Sequence, residues 1–461
     1  MKQLFCKLVA SSKSYQLVFI LLVCFFFASC SQKQDFFKDN EANIAALTSL
    51  KQINNLTSGG QVDNTTDLQS LIDSKRTNPI AIKGIYLTSQ LTVHSYDTII
   101  MQSGFKLLLN PSVTMQSIFY FPAGTHDVYI EGGILDANWQ NNASGSQLEC
   151  IKMAEGCYNI TIKGVTVNNA KDYGAIQIKG VSGSLCSNIK LLNIKSKQTG
   201  RTAIECRGVN NIIISNPRLQ HWGQQNSNSP AIQFQSVDSR NVQILSPVTS
   251  GYEGTQFAIE SAAANVDNIN ISNGNFTDYT NAGNNGISGY YTNANFSYNS
   301  MIGGVGSQRS GYELFGGNNT IDHPTVQRGI IAISTGSVTN SNANNINILY
   351  PDVVSGGTNN SALDLGSNNG LILSNVTVTG GTLDTRNAAG NSSAFTFGYY
   401  GGLGIVQNVT LNNTKLYSGT SAVRIQAANG SKNLVLNGVG FMQLTEQVSD
   451  ITHNVNYTIN P

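Results

Sequence analysis

The sequence repeats one tetrapeptide eight times, an asparagine followed by an aliphatic, a variable and a second aliphatic residue: Asn159-Ile160-Thr161-Ile162, Asn188-Ile189-Lys190-Leu191, Asn211-Ile212-Ile213-Ile214, Asn241-Val242-Gln243-Ile244, Asn268-Ile269-Asn270-Ile271, Asn345-Ile346-Asn347-Ile348, Asn408-Val409-Thr410-Leu411 and Asn433-Leu434-Val435-Leu436. The spacing is roughly 23–30 residues or multiples of it, a period typical of solenoid proteins. One such unit cannot bury its apolar side alone, whereas stacked units share a continuous core. The pattern therefore predicts an all-β solenoid.

The repeated asparagine is suited to a turn, because asparagine tolerates left-handed backbone geometry. Its side-chain amide can also bond to the same residue one coil above, so we expect an internal asparagine ladder. Charged residues are only 11% of the chain and glycine contributes 45 of 461 residues, which favours turn-rich β-structure over helices. A solenoid is a single elongated domain at any length, so one folded domain is predicted.

The ends of the chain are expected to have other roles. Residues 1–29 have the features of a signal peptide, with three lysines before an apolar run from about Leu17 to Phe27. The run ends in Ala28-Ser29-Cys30, which resembles the lipobox of bacterial lipoproteins and implies a lipid anchor on Cys30. An ordinary secretory signal is the alternative. We expect a protein of the bacterial cell envelope, anchored in the outer membrane or secreted.

The folded domain is expected to span residues 63–461, after a polar tether at residues 30–62. At its start, apolar residues between Asp67 and Ile72 have helical spacing, and Asn78-Pro79 provides a stop. A short helix here would cap the open end of the core, which a solenoid needs because its terminal coil has unpaired strand edges.

Net charge and cysteine content restrict the partners. Removal of residues 1–29 takes away three lysines and no acidic residue, so the net charge falls from +1 to −2, and nucleic acid is not an expected partner. No metal-finger spacing occurs among the seven cysteines. Cys157 and Cys186 each precede a repeat asparagine by two residues, so they are expected on neighbouring coils, either as a disulfide or as two packed thiols.

Strand-like segments follow one another from Ile80 to Ile130, and Gly132-Gly133-Ile134-Leu135-Asp136-Ala137-Asn138 comes next. With this segment and the repeat, the chain resembles the pectin-lyase-like superfamily of right-handed parallel β-helix proteins over about residues 65–455. The resemblance implies a right-handed parallel β-helix with a short N-terminal capping helix. It does not determine activity, because hydrolases, lyases, epimerases and phage tailspikes share it.

A second column of strands aligns on the pattern apolar, variable, apolar. We call its variable positions the polar stripe and expect them to point outward: Tyr120, Lys152, Gln177, Glu205, Gln233, Glu260, Ser288, Glu313, Ala332, Asp364, Thr396 and Arg424. Glu205 and Glu260 are two coils apart, about 9.6 Å between backbones. Inverting glycosidases hold their two carboxyl groups roughly 6.5–9.5 Å apart, so this pair is the predicted catalytic acid and base.

Further residues of the same coils are candidate substrate ligands. Gln233 lies between the two carboxylates, and Glu313 is a third carboxylate that could pair with Glu260 instead. Aromatic rings can stack on sugars and arginines can hold carboxylate or sulfate groups. On these grounds the remaining candidates are Arg201, Arg207, His221, Trp222 and Tyr252.

These observations predict a monomeric, endo-acting glycoside hydrolase for a long, anionic polysaccharide, such as a sulfated fucan or galactan. The polygalacturonases resemble the chain in their coil, but their signature motifs are missing here, so pectin is not the expected substrate. Two alternatives stay open. A polysaccharide lyase would use Arg201, Arg207 or a neighbouring arginine as base, with calcium on Glu205 and Glu260; the hydrolase needs no cofactor or metal. A glycan-binding surface lipoprotein would need no catalysis at all.

Overall fold

The computed structural model describes residues 62–74, 80–114, 116–142, 147–171, 173–224, 229–250, 257–277, 286–303, 311–335, 341–356, 361–368, 370–388, 392–398, 404–418, 420–427, 430–442, 446–450 and 455–461. All of these lie in one compact unit, Leu56–Pro461. The predicted signal peptide, Cys30 and all but the last residue of the predicted tether lie outside the described residues.

The described residues form one parallel sheet of 40 strands wound into coils of three strands each. Each strand pairs with its counterparts one coil before and one coil after, so the strands form three columns. Column 1 comprises Leu91–Thr92, Ser117–Phe121, Glu149–Met153, Ile176–Lys179, Ile204–Arg207, Ile232–Gln235, the first part of Ile259–Ser272, Gly286–Thr292, Gly311–Phe315, Ile330–Ser334, Ser361–Leu365, Ser393–Phe397, Ser421–Ile425 and Glu446–Asp450.

Columns 2 and 3 complete each coil. Column 2 comprises Ile80–Ile82, the first part of Thr98–Leu109, the first part of His126–Asp136, Tyr158–Lys163, Cys186–Leu192, Val209–Ser215, Ser239–Leu245, the last part of Ile259–Ser272, Asn295–Ser297, Asn319–Asp322, Ala343–Leu349, Ile372–Thr379, Ile405–Asn412, Lys432–Asn437 and Tyr457–Asn460. Column 3 comprises Ile85–Thr88, the last part of Thr98–Leu109, the last part of His126–Asp136, Thr166–Asn168, Lys195–Lys197, Arg218–Gln220, Val248–Ser250, Asn275–Thr277, Ser300–Ile302, Thr325–Gln327, Asp352–Val354, Thr382–Asp384, Lys415–Tyr417 and Gly440–Met442.

The core runs unbroken through the described coils. In column 2, Ile189, Ile212 and Val242 are register neighbours on successive coils, and all three are buried. Full burial of such a side chain contributes about 1.5–3 kcal/mol. Because every coil repeats this contact with its neighbours, the apolar positions of the repeat account for the solenoid, as predicted.

The asparagine ladder is present, but it lies on the surface. Each asparagine adopts positive φ, as for Asn159 (55°) and Asn188 (54°), and its amide bonds to the preceding coil. The Nδ2 of Asn188 donates to the Oδ1 of Asn159 at 3.0 Å, and Asn211 donates to Asn188 at 2.7 Å. The prediction of an internal ladder was wrong, because the left-handed residue sits at the outer corner of the coil, where its side chain reaches solvent.

Replacement of Asn188 by alanine is expected to lower the free energy of unfolding by about 1–3 kcal/mol, since it removes two ladder bonds and places alanine, which tolerates left-handed geometry less well than asparagine, at a φ of 54°. Asn188→Gly relieves the backbone strain and should lose less. Urea unfolding of both variants measures the two contributions. Equal losses in the alanine and glycine variants would contradict the backbone contribution.

The predicted capping helix is confirmed as Thr65–Ser74, which has Asp67 in its first turn and buries Leu68 and Ile72 against the first coils. The Oδ1 of Asp63 accepts the backbone N–H of Thr65, which caps the first turn. Among the helices of the described residues, none is long and apolar enough to cross a membrane.

Asp136 in the glycine-rich segment has a structural role. Its Oδ1 accepts the backbone N–H of Asn138, and its Oδ2 lies 2.6 Å from the Nζ of Lys106. Cys157 and Cys186 lie side by side on neighbouring coils as free, buried thiols. Their mutual hydrogen bond and burial raise the pKa of the Cys157 thiol. Of the two alternatives from the sequence, the structure has the packed thiols.

Candidate active site

The polar stripe has the register expected from the sequence. Gln177, Glu205, Gln233 and Glu260 pair in order on four successive coils of column 1. The order continues through Ser288 to Glu313 and on to Arg424. Glu205, Glu260 and Glu313 therefore occupy alternate coils of a single line, with a neutral residue between each pair.

Most of the stripe is buried, which the sequence did not indicate. Glu205 is 0% exposed, Gln233 6% and Glu313 8%, whereas Glu260 remains partly exposed. Side chains on neighbouring coils are only about 4.8 Å apart at their backbones, so they pack against one another. The expectation of a freely exposed outward stripe was wrong for these positions, and Glu260 is the acidic member most accessible to a substrate.

Glu205 is held by several donors. Its Oε1 accepts from the Nε of Arg207 at 2.5 Å and from the Nε2 of Gln235 at 2.7 Å. The amide of Gln177 lies 3.5 Å from the same oxygen. The buried Oε2 has no hydrogen-bond partner among the described residues. Arg207 therefore neutralises Glu205 within the wall of the solenoid.

Glu260 is in a different environment. Burial raises the pKa of Glu260 to about 7, the hydrogen bond from Gln233 lowers it, and the charge of Glu313 raises it further. Between Glu260 and Glu313 the stripe has only the small Ser288. Gly289, which follows Ser288 in the strand, must be glycine. A Cβ at this position, whose φ is +130°, would lie 2.4 Å from the backbone oxygen of Ser261.

Glu149 is a buried carboxyl group that the sequence reasoning missed. It opens the column 1 strand Glu149–Met153, three residues before the stripe position Lys152, outside the positions aligned for the stripe. Burial raises the pKa of Glu149 to about 7, Lys152 at 3.5 Å opposes the shift, and Glu205 adds to it. An acidic residue directly before the apolar pair Cys150-Ile151 was the only signal for it.

The predicted arginines lie together around one tyrosine. The guanidinium carbons of Arg201 and Arg207 are 5.6 and 5.1 Å from the ring centroid of Tyr173, a residue the sequence analysis did not select. The Nε of Arg201 also lies 3.4 Å from the Oγ of Ser229. Cations over an aromatic face are favourable contacts, so the ring orients both side chains.

The predicted aromatic ligands are not confirmed. Trp222 is 1% exposed and packs in the hydrophobic core, so its assignment as a sugar platform was wrong. Its large apolar ring is more stable inside the solenoid than in a turn. His221 occupies the adjoining turn with φ of 50°, and its backbone N–H donates to the backbone oxygen of Ser250 at 3.3 Å. Tyr252 lies outside the described residues.

Metal ligands are not clustered in this region. Within the ranges that the structure describes, no group of three or more histidine, cysteine, aspartate or glutamate side chains is arranged to hold a metal ion. What the stripe does bring together is a line of three carboxyl groups, one of them neutralised by arginine and one with a raised pKa.

No protein-family model and no curated protein matches the sequence. Among solved structures, the pre-mature gene product 12 of bacteriophage phi29 is 13% identical, with a TM-score of 0.50 over 87% of this chain and 57% of that protein. The Streptococcus pneumoniae surface adhesin PfbA is 13% identical, with a TM-score of 0.40 over 84% and 90% of the two chains. A Yersinia enterocolitica family 28 exopolygalacturonase is 13% identical, with a TM-score of 0.32 over 88% and 76%. At these identities the likeness concerns fold alone: the chain is a right-handed parallel β-helix.

Proposed function

We propose that the chain is an endo-acting glycoside hydrolase that cleaves a long polysaccharide, with Glu260 as the general acid. The observation that carries this proposal is the environment of Glu260, a partly exposed carboxyl group whose pKa is raised to about 7, in line with two further carboxyl groups. A general acid must hold its proton near neutral pH and deliver it to the leaving oxygen, and burial beside another carboxylate favours this state.

Glu313 is the better candidate for the base. Glu205 and Glu313 are both two coils from Glu260, about 9.6 Å between backbones, which suits an inverting mechanism with a water between the carboxyl groups. However, Glu205 is neutralised by Arg207, whereas the charge of Glu313 acts on Glu260 directly. We therefore assign the activation of water to Glu313. Glu205 has a positioning role instead, because its carboxylate holds the guanidinium of Arg207 in place.

An anionic substrate is supported by Arg201, whose guanidinium lies over Tyr173 and pairs with no carboxylate of the described residues. Arginine holds carboxylate or sulfate groups through paired N–H donors. The lyase alternative is weaker, because Arg207, one of its candidate bases, is paired with Glu205. A glycan-binding protein without catalysis is the second candidate, and the burial of Glu205 and Glu313 favours it.

Incubation of the purified chain with a panel of acidic and neutral polysaccharides tests the proposal. We expect new reducing ends without the ultraviolet absorbance of an unsaturated product, and inversion at the anomeric carbon by NMR. New ends that carry the ultraviolet absorbance of an unsaturated sugar would establish a lyase. Binding to a polysaccharide without any new ends would establish the non-catalytic protein.

The pH profile gives a more specific prediction. Protonated Glu260 is required, so kcat/KM should fall as the pH rises through about 7. The amide of Gln233 stabilises the ionised carboxyl, so Gln233→Met should raise the pKa of Glu260 and move the alkaline limb to higher pH. Gln177→Met, which removes a hydrogen bond to Glu205 instead, is the control and should leave the limb in place. A limb that moves to lower pH in Gln233→Met contradicts the assignment of Glu260.

A further inference from the structure

Basic residues are concentrated in one part of the solenoid. The chain as a whole has 27 lysines and arginines against 26 acidic residues. Between residues 163 and 218, however, nine basic residues face two acidic ones, Asp172 and Glu205: Lys163, Lys171, Lys179, Lys190, Lys195, Lys197, Arg201, Arg207 and Arg218. Glu205 is already occupied by Arg207, and Lys163 pairs with Glu131 just outside this segment. These coils therefore have a strong local excess of positive charge on a nearly neutral protein.

Two of these cations lie next to each other in column 3. Lys195 and Arg218 are register partners on neighbouring coils, about 4.8 Å apart at their backbones, and both side chains are exposed. Lys197 is exposed on the same strand as Lys195. None of the three forms an ion pair with any residue in the described ranges. Like charges directly opposite each other on adjacent strands are destabilising, so this arrangement is unfavourable without an anion.

A groove runs past these two side chains. It has a volume of about 410 Å³, and its lining includes Lys195, Arg218 and four corner residues from successive coils, Asn193, Asn216, Ser246 and Asn273. The corner residues supply amide and hydroxyl groups, which bond to sugar hydroxyls as donors or acceptors. Four coils extend about 14 Å along the axis, so the groove suits a linear ligand.

We propose that this groove is a binding site for an anionic saccharide chain that carries sulfate or carboxylate groups. The proposal does not depend on the hydrolase, because the groove follows columns 2 and 3 whereas the candidate catalytic carboxyl groups lie on column 1. Lys195 and Arg218 pair with the anionic groups, and the asparagine amides bond to the sugar hydroxyls between them. Occupation of the groove relieves the repulsion between the two cations.

Saccharide fits the groove better than the other polyanions. Proteins that bind DNA commonly neutralise 6–10 phosphates, and the groove lining provides two cations. Adsorption to a membrane surface uses a large apolar face beside the basic residues, and the groove lining contains only one apolar side chain, the partly buried Val248.

Calorimetric titration with dextran sulfate, and with uncharged dextran of the same length, tests the site. We expect the purified chain to bind dextran sulfate and not dextran, with an affinity that falls as salt is added. The double variant Lys195→Gln/Arg218→Gln should raise the Kd for dextran sulfate at least tenfold. Its substitutions are on the surface, so the thermal unfolding temperature should stay close to that of the wild type.

The matched control is Lys415→Gln/Lys432→Gln, which removes the same two charges from exposed positions at the other end of the solenoid. This control should bind dextran sulfate as the wild type does. Equal losses in the two double variants would overturn the proposal, since they would indicate attraction by net charge alone. Binding of duplex DNA or of phosphatidylserine vesicles through Lys195 and Arg218, as tight as that of dextran sulfate, would also overturn it. Binding of dextran sulfate without cleavage of any polysaccharide would reject the hydrolase and leave this site intact.

Discussion

Replacement of Glu260 by glutamine is expected to lower kcat on the cleaved polysaccharide by a factor of about 10²–10⁴, the usual contribution of a general acid or base. Glutamine has nearly the same shape and can keep a hydrogen bond with Gln233, but it has no proton to deliver at neutral pH. Substrate binding should therefore be retained. Single-turnover kinetics and titration of the polysaccharide separate the two effects, and the loss should appear in kcat rather than in Kd.

The control for this experiment is Glu446→Gln, which makes the same change at an exposed carboxyl group near the C-terminal end of column 1. It should leave kcat unchanged. Glu313→Gln should lower kcat to a similar extent as Glu260→Gln, because the inverting mechanism needs both groups. If Glu260→Gln retains full activity, the general acid is not Glu260, and the proposed mechanism fails.

The fold was predictable because every coil obeys the same local rule. Asn159 and Asn188 mark the outer corners, and the aliphatic residues that follow them mark the inner wall, so the repeat alone gives the period and the strand order. The sequence also predicts the register in which Gln177 pairs with Glu205, and Glu205 with Gln233. The position of the ladder was not predictable, because the sequence does not indicate which side of a left-handed corner faces solvent.

The candidate site was only partly predictable, because its chemistry depends on contacts between side chains. The sequence places Glu205 and Glu260 two coils apart, but it does not show that Arg207 turns back onto Glu205, two residues earlier in the same strand. Trp222 stands beside a turn histidine in the sequence, yet its ring enters the core. Burial and pairing thus distinguish two glutamates that have the same position in the repeat.

The Arg207–Glu205 ion pair leads to the largest expected effect on stability. Arg207→Met keeps much of the side-chain bulk but leaves Glu205, whose side chain is 1% exposed, as a buried charge without its cation. Loss of one partner of a buried pair typically costs about 3–5 kcal/mol, because the remaining charge is desolvated and uncompensated. The free energy of unfolding of Arg207→Met, measured by urea denaturation, should fall by this amount.

The double variant Glu205→Gln/Arg207→Met should recover most of that loss, since it leaves no buried charge and its amide can still bond to Gln235. A matched control is Lys163→Met, which breaks the pair with Glu131, where both side chains are partly exposed at 42% and 33%. Exposed pairs contribute about 0–1 kcal/mol, so this variant should unfold almost as the wild type does. If Arg207→Met is no more destabilising than Lys163→Met, Arg207 does not compensate a buried charge on Glu205, and the neutralisation of Glu205 by Arg207 is contradicted.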